Sequence, residues 1–312
     1  MSYFNNAERW SMIKAAALYL DAFLGDTLAD GIGSDSAVWT AQLEALAARM
    51  VDYKCGGIAR RIRIGIEQMN KEAEHWPEVS ARLCGQLIIF SKKILATEDD
   101  DLEDIAEWLI WSGWSIQQKQ IMHKRPINDQ WIVLGHSRQK EENLRVHRTW
   151  LYGQQCKKYG LHIEYLIGFN QPDVYWTVGK YYDGDMIYYP GKYNTRVMPF
   201  RINNDAFAKW PKDSGYSIEQ VKAYTTNLLS TFPLVDNIPI HLKACSILVD
   251  DKKRVEIKDD TGQMGQIRVE QGHFNKLIAL AGEGQVSIFG ELNDGQLVLH
   301  SIGFQGEIHA LI

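Results

Sequence analysis

This sequence lacks the motifs by which many enzyme classes are recognised. It contains no G-x-x-x-x-G-K-[ST] phosphate loop and no H-E-x-x-H zinc-binding helix. Gly135-His136-Ser137 begins like a nucleophile elbow, but Gln139 stands where that motif requires a glycine. None of the nine histidines pairs with another at metal-ligand spacing. We therefore predict a protein that is not an enzyme and that uses neither a metal nor a cofactor.

Long apolar runs, paired cysteines and excess positive charge are also missing. No apolar run approaches the ~20 residues that a membrane-spanning helix needs, and the N-terminus lacks the pattern of a signal peptide. The four cysteines, Cys55, Cys84, Cys156 and Cys245, are widely separated, which is typical of free thiols in a reducing compartment. A net charge of -5 gives no general attraction to nucleic acid. These features predict a cytoplasmic, soluble protein.

The first part of the chain has helical periodicity. At 312 residues with 45% hydrophobic composition, the chain is long enough for two or three domains. Apolar residues recur three and four positions apart, as on one face of a helix. We predict a first helix over residues 6–24, a loop over residues 27–36 and a second helix from Ser36 to the Gly56-Gly57 pair. A third helix is expected after that pair, a fourth from Pro77 onward and a fifth in the acidic stretch 97–114.

The remainder is rich in strand patterns. Residues 144–202 contain short aromatic and β-branched runs separated by glycine, which predicts a meander of antiparallel strands. Ser217 and Gln220 have the spacing of a capping box ahead of a helix. From Ile238 the order is three strands, a helix and two strands, with an Asp-Gly turn at 294–295 in the last hairpin. That order is typical of a small oligonucleotide/oligosaccharide-binding (OB) barrel.

We therefore predict an α+β protein with antiparallel β domains, the last one OB-like. The expected divisions are a helical region at 1–125, an antiparallel β domain at 126–205, a helical connector at 206–234 and a small OB-like barrel at 235–312.

Several phrases of the sequence, taken together and in order, resemble the C-terminal region of bacterial SWIM zinc finger proteins. The resemblance runs from about Trp39 to Ile302 and rests on loose patterns of Trp, Gly, Arg and aromatic positions. The phrases are LEALAARMVDYKCGGIARRIR, NDQWIVLGH, LRVHRTWLYG, GDMIYYPGKYNTRVMPF and LIALAGEGQVSIFGELNDGQLVLHSI.

The zinc motif that defines that family is missing from this chain. The motif is Cys-x-Cys followed by Cys-x-His, and none of the four cysteines stands in either pattern. The chain thus resembles the body of such a protein, with the finger either on a separate polypeptide or lost. The resemblance implies an accessory role beside a MoxR-type AAA ATPase and a von Willebrand A-type protein, which would be its protein partners.

One candidate partner-binding surface is rich in tyrosine. Neighbouring residues of a strand face opposite ways, so one member of each adjacent pair is expected outside the core. An exposed row of tyrosines would suit a protein partner, although core packing is the commoner role of any single strand tyrosine. The candidates are Tyr181, Tyr182, Tyr188, Tyr189 and Tyr193.

The alternative function is binding of single-stranded nucleic acid, since cations can neutralise phosphates and aromatic rings can stack on bases. The competing interpretation is that the cations form solvated faces and that the tryptophan is core, and an acidic chain favours that interpretation. An enzyme of unrecognised type is a third, weaker alternative. The candidate nucleic-acid-binding residues are Lys54, Arg60, Arg61, Arg63, Lys124, Arg125, Arg145, Arg148 and Trp150.

Overall fold

The chain forms two compact units. One contains Met1–Gln120 with Pro190–Asn194, and the other contains Ile121–Tyr189 with Thr195–Ile312. The computed structural model describes residues 3–33, 35–99, 101–141, 144–211, 214–250, 254–269, 273–282, 284–293 and 296–311.

The first unit is helical. Asn6 and Asp35 accept backbone N–H bonds at the starts of the first two helices, and Pro77 lies in the first turn of the fourth, where its missing N–H costs nothing. The helices are α1 (Ala7–Asp30), α2 (Ser36–Asp52), α3 (Gly56–Lys71), α4 (Trp76–Leu95), α5 (Ala106–Ser112) and α6 (Gln118–Ile121).

Three sequence predictions need correction in this unit. The expected loop over residues 27–36 is wrong in its first part, because α1 continues to Asp30. The helix predicted in the acidic stretch 97–114 is present but starts later than expected: α5 begins only at Ala106, and Asp99 pairs with Lys14 and accepts a hydrogen bond from Trp10. The predicted break lies just before the Gly56-Gly57 pair and not at it: α2 ends at Asp52, and α3 begins at Gly56. A Cβ on Gly57 would lie 2.5 Å from the Trp111 carbonyl, so glycine permits the close approach of α3 and α5.

The second unit begins with a closed five-stranded barrel, the first barrel. Its strands are β1 (Ile127–Glu141), β2 (Leu144–Gly153), β3 (Tyr159–Ile167), β4 (Lys180–Tyr188) and β5 (Arg196–Phe207). They are ordered β1-β2-β3-β5-β4, with β4 returning to β1. The expected meander is therefore wrong in its strand order. β5 lies between β3 and β4, and it pairs in parallel with β3 at Leu161 and His162.

A second closed barrel follows helix α7 (Ile218–Thr231), whose predicted Ser217–Gln220 capping box is present. Its elements are β6 (Ile238–Val249), β7 (Val255–Lys258), β8 (Met264–Arg268), α8 (Phe274–Ala281), β9 (Val286–Asn293) and β10 (Gln296–Phe304), with β11 (Glu307–Ala310) added at the edge. The order β6-β7-β8-β10-β9, with β8 and β10 parallel, confirms the OB-like prediction. β11 was not predicted, and the Asp-Gly turn at 294–295 lies outside the described residues.

Both barrels therefore have the same strand order, and a shared core joins them. Trp150 on β2 and Phe289 on β9 lie in one buried cluster, with ring centroids 6.2 Å apart. The Trp150 indole N–H donates to the buried Glu291 carboxylate at 2.7 Å. A Cβ on Gly135 would lie 2.9 Å from the His300 ring, so the β1 bulge needs a glycine at this contact.

Candidate partner-binding surface

The five candidate tyrosines do not form an exposed row. Tyr182 and Tyr189 are buried, and Tyr181, Tyr188 and Tyr193 are half-buried. Neighbours on β4 do alternate: Tyr182 packs inside the first barrel, and Tyr181 packs outside it against the shared core. The geometric premise drawn from the sequence is thus corrected. Direct contact of these tyrosines with a partner stays a prediction.

The remaining tyrosines of this group make contacts within the fold. The Tyr188 hydroxyl donates to the carbonyl of Tyr159 at 2.8 Å. The ring of Tyr189 lies 4.5 Å from the Arg196 guanidinium, a cation–π distance. In the helical unit, the amide of Tyr193 donates to the Glu107 carboxylate at 2.7 Å.

The basic residues of α3 and the turn before it lie on a solvated face. Lys54 and Arg60 are exposed. The guanidinium of Arg61 stacks 4.5 Å from the Trp111 ring, and Arg63 lies 3.8 Å from Glu44. Arg61 and Arg63 therefore have partners within the helical unit.

The cations of the first barrel also contact protein groups. Lys124 donates to the carbonyl of Tyr188 at 3.0 Å, and Arg148 donates to Gln139. Arg125 and Arg145 are exposed. Trp150 is 1% exposed and lies in the shared core, so its ring cannot stack on a base. The core interpretation of Trp150 is the one that the structure supports.

A surface that the sequence interpretation missed lies at the end of β3. We name residues 165–175 the aromatic loop. They comprise the last three residues of β3 and the chain that follows it. Phe169 is 99% exposed, and Tyr175, Ile167 and Tyr165 are 67%, 64% and 50% exposed. Large apolar side chains concentrated in one short exposed segment are typical of interaction sites.

Hydrogen bonds constrain the backbone of this loop. The Arg145 guanidinium donates to the carbonyls of Gly168 and Asn170 at 2.9 and 2.8 Å. The amide of Asp173 donates to the Glu164 carboxylate at 2.8 Å. The backbone is therefore anchored at Gly168 and Asn170, on either side of Phe169, and again at Asp173. Such preorganisation lowers the entropy lost when a partner binds.

Tyr182 supports the same loop from inside the barrel. Its hydroxyl donates to the carbonyl of Tyr175 at 3.0 Å and accepts the amide of Thr177 at 3.1 Å. Trp176 packs against the Tyr182 ring, with centroids 4.9 Å apart, and its indole N–H donates to His162 at 3.0 Å. A tyrosine chosen as a surface candidate thus positions the surface instead of forming it.

One sequence signal could have revealed this surface. The segment GFNQPDVY places Phe169 and Tyr175 among glycine, asparagine, proline and aspartate. Those neighbours are typical of an exposed turn, and Gly168 adopts a φ of +56°. An aromatic residue in such a turn cannot be assigned to a core by strand alternation.

Two buried histidines and the half-buried His136 are held neutral near neutral pH. Burial lowers the pKa of His162 and His241 to about 4, and the charge of Arg196 acts in the same direction on His162. Burial also lowers the pKa of His136 to about 4, helped by Arg138. These histidines accept or share hydrogen bonds with Trp176, Tyr159 and Thr149, which is a structural role.

The cysteines are free, and their thiols are protonated. Burial raises the pKa of Cys55 and Cys245 to about 12, and that of Cys84 and Cys156 to about 11. The thiolate is the reactive form of cysteine, so these side chains are poor nucleophiles near neutral pH.

Among the described residues, no group of three His, Cys, Asp or Glu side chains is arranged to hold a metal ion. Within the same residues, no helix is long and apolar enough to cross a membrane.

Comparison with known families supports the earlier resemblance. A family model described as a SWIM-associated four-helix bundle domain matches residues 8–107. The matched range contains helices α1 to α4, apart from the first residue of α1, and the start of α5. Residues 108–312, which include both barrels, lie outside the matched range. No curated protein matches the chain significantly.

Proposed function

We propose that this chain, which contains a SWIM-associated four-helix bundle domain at residues 8–107, is an accessory protein that binds other proteins and catalyses no reaction. The observation that carries the proposal is the aromatic loop, where the closed first barrel presents Phe169, Tyr175 and Ile167 to solvent. Exposed aromatic anchors on a preorganised backbone are typical of protein interfaces.

The chemistry of the described residues agrees with a binding role. The four thiols are protonated, and the buried histidines are engaged in hydrogen bonds within the fold. The matched helical domain is an accessory bundle and not a known catalytic domain. Free cysteines are typical of a reducing compartment, which supports our proposal that the protein is cytoplasmic.

The partners that we propose are a MoxR-type AAA ATPase or a von Willebrand A-type protein. The support is the resemblance of most of the chain to bacterial SWIM zinc finger proteins, together with the matched helical domain. The test is affinity capture of the tagged full chain from its native cells, with nuclease added to half of each sample. A protein of either class recovered equally from both halves is the expected result. Recovery of no protein from either half would refute the proposal.

The second candidate function is binding of single-stranded nucleic acid. Its support is the strand order of the two barrels, which is that of OB barrels. Since Trp150 is buried, stacking would have to come from exposed rings such as Tyr165. The two functions differ in their response to salt. Phosphate contacts make affinity fall steeply as salt rises, by roughly 0.7 power of the salt concentration for each phosphate neutralised on a single strand. An interface built on aromatic residues would change little.

A further inference from the structure

We propose that Phe169 is the anchor by which the first barrel binds its protein partner, and that the partner receives the ring in an apolar pocket. This inference rests on the proposed function. It goes further by naming one residue, one kind of receiving site and a mode of recognition that does not depend on charge.

The first observation is that the Phe169 side chain contributes almost nothing to the fold. The ring is 99% exposed, so it removes no appreciable apolar surface from water in the free chain. A phenylalanine ring has about 150–250 Å² of surface to bury when it enters a pocket. Two further side chains of the same loop, Ile167 and Tyr175, also expose apolar surface.

The second observation is that the backbone beneath Phe169 is already ordered. Arg145 binds the carbonyls on either side of it, at Gly168 and Asn170. The amide of Asn170 also donates to the carbonyl of Ile167 at 3.1 Å, which closes a turn around Phe169. Because the turn is formed before binding, insertion of the ring costs little backbone entropy.

The third observation concerns charge, and it selects the class of partner. The segment from residue 165 to residue 179 contains no lysine or arginine, and its one acidic side chain is Asp173. The nearby Arg145 donates to two loop carbonyls. Nucleic acids and anionic membranes are recognised chiefly through cations that meet phosphates. A protein pocket of low charge is the receiving site that this surface fits.

Polar groups of Tyr175 and Gln171 lie in the same loop as the Phe169 ring and could orient a bound partner. The hydroxyl of Tyr175 donates to the side-chain oxygen of Gln171 at 3.1 Å, and the Gln171 amide reaches the Phe169 carbonyl at 3.4 Å. This short chain of contacts links the Tyr175 hydroxyl to the backbone of Phe169. A central apolar anchor with a polar rim is the usual arrangement of an interface hot spot.

The first test is site-specific photocrosslinking in the native cells. The photoreactive residue p-benzoylphenylalanine replaces Phe169 in the full chain, and the matched control carries it in place of Phe207. Phe207 is also exposed, at 85%, but lies at the end of β5. The expected result is an ultraviolet-dependent adduct with one protein from position 169 and none from position 207. The same adduct from both positions, or none from position 169, would overturn the proposal.

The second test measures how much binding depends on the ring. Phe169→Ala should weaken recovery of the crosslinked partner at least about 30-fold, the effect of a hot-spot residue, whereas Phe207→Ala should leave it unchanged. Both variants should melt at the wild-type temperature, since neither ring is buried. Equal recovery with the wild type and both variants would refute the anchor but leave the accessory function standing. If the wild type recovers no protein, both proposals fail.

A third measurement excludes a lipid surface as the receiving site. The full chain is mixed with vesicles of neutral phosphatidylcholine, and sedimentation reports binding. No sedimentation of the wild type is expected. Sedimentation that Phe169→Ala abolishes would overturn the protein pocket in favour of a bilayer.

Discussion

At the scale of single residues, Tyr182 shows how a buried side chain controls an exposed surface. Its hydroxyl joins the carbonyl of Tyr175 to the amide of Thr177, and its ring packs against Trp176. The aromatic loop therefore depends on a group that is itself out of reach of any partner. A substitution at Phe169 changes the exposed surface, whereas a substitution at Tyr182 changes the ordering of the loop, so the two effects can be tested separately.

Removing only the Tyr182 hydroxyl should loosen the aromatic loop. We expect Tyr182→Phe to lower the free energy of unfolding by about 1–2 kcal/mol, because two backbone groups lose their partner. Urea denaturation measures this loss, and amide hydrogen exchange at residues 175–177 reports the local opening. Tyr181→Phe, on the opposite face of the same strand, is the matched control. Wild-type exchange in the Tyr182 variant would contradict the anchoring role.

The bond between Trp150 and Glu291 is a second residue-scale feature. Glu291→Leu leaves the buried indole N–H without an acceptor, so we expect a loss of about 1–3 kcal/mol in unfolding free energy. Glu291→Gln retains an acceptor and should lose less. Adding Trp150→Phe to Glu291→Leu removes both polar partners, and the double-mutant cycle should show a favourable coupling. Purely additive losses in urea denaturation would argue against the bond.

At the scale of elements, local sequence signals and local structure agree most closely at the ends of helices. Asp35, Pro77 and Ser217 occupy the positions at which their side chains or rings favour a helix start. Each signal depends on a few adjacent residues, so the rest of the fold does not alter it. The extension of α1 beyond Gly25 is the exception. A mid-helix glycine weakens a helix but does not end it when neighbours such as Leu24 are buried.

The start of α7 provides an element-scale prediction. Ser217 accepts from the amide of Gln220, and the Gln220 side chain accepts from the amide of Ser217. Ser217→Ala removes one of these two bonds and should cost about 1 kcal/mol in unfolding free energy. Ser230→Ala, in the exposed last turn of the same helix, is the control. An equal effect of the two changes in thermal denaturation would show that the cap contributes nothing specific.

At the scale of the whole molecule, the two barrels share one core. Ile132, Leu134 and Trp150 of the first barrel lie in one buried cluster with Trp210 and Phe289, and Ser301 of the second donates to the Leu134 carbonyl at 2.6 Å. Opening either barrel would expose this cluster, so both should unfold in one transition. The His241 ring lies in the same region, with its centroid 5.0 Å from that of Trp210. Because protonation would place a charge in this core, the stability of the second unit should depend on pH.

The second unit should lose stability in acid. His162 and His241 have folded pKa values of about 4, below the 6.5 of an ordinary histidine. Their contribution is therefore complete above about pH 6.5 and is lost as the pH falls toward 4. Each shift corresponds to roughly 3 kcal/mol at most. Urea denaturation between pH 7.5 and 4.5 tests this expectation.

A matched pair of variants separates this effect from general acid denaturation. His162→Gln keeps an acceptor for Trp176 but cannot gain a charge, so stability should fall less steeply with acid than in the wild type. His75→Gln, at an exposed site in the helical unit, should leave the pH dependence unchanged. Identical pH profiles for the wild type and both variants would refute the assignment to His162.

The sequence predicted much of the architecture but little of the candidate site. The order of strands and helix after Ile238 was sufficient to indicate an OB-like barrel, because three strands, a helix and two strands are typical of that fold. The first barrel has no described helix between β3 and β4, so its sequence indicated only a meander and not the pairing of β3 with β5. Period-two alternation assigned Tyr181 and Tyr182 to opposite faces. It could not tell that a second barrel covers the outer face.

The sequence by itself determined where helices begin, which residues alternate across each strand and which family the helical region resembles. These properties depend on neighbours along the chain. Only the tertiary structure decided that Trp150 is core, that Tyr182 anchors a loop and that Phe169 is left in water. The exposure of a side chain depends on which distant parts of the chain pack against it. The second barrel packs against Trp150 and buries it, whereas nothing within the described chain covers Phe169.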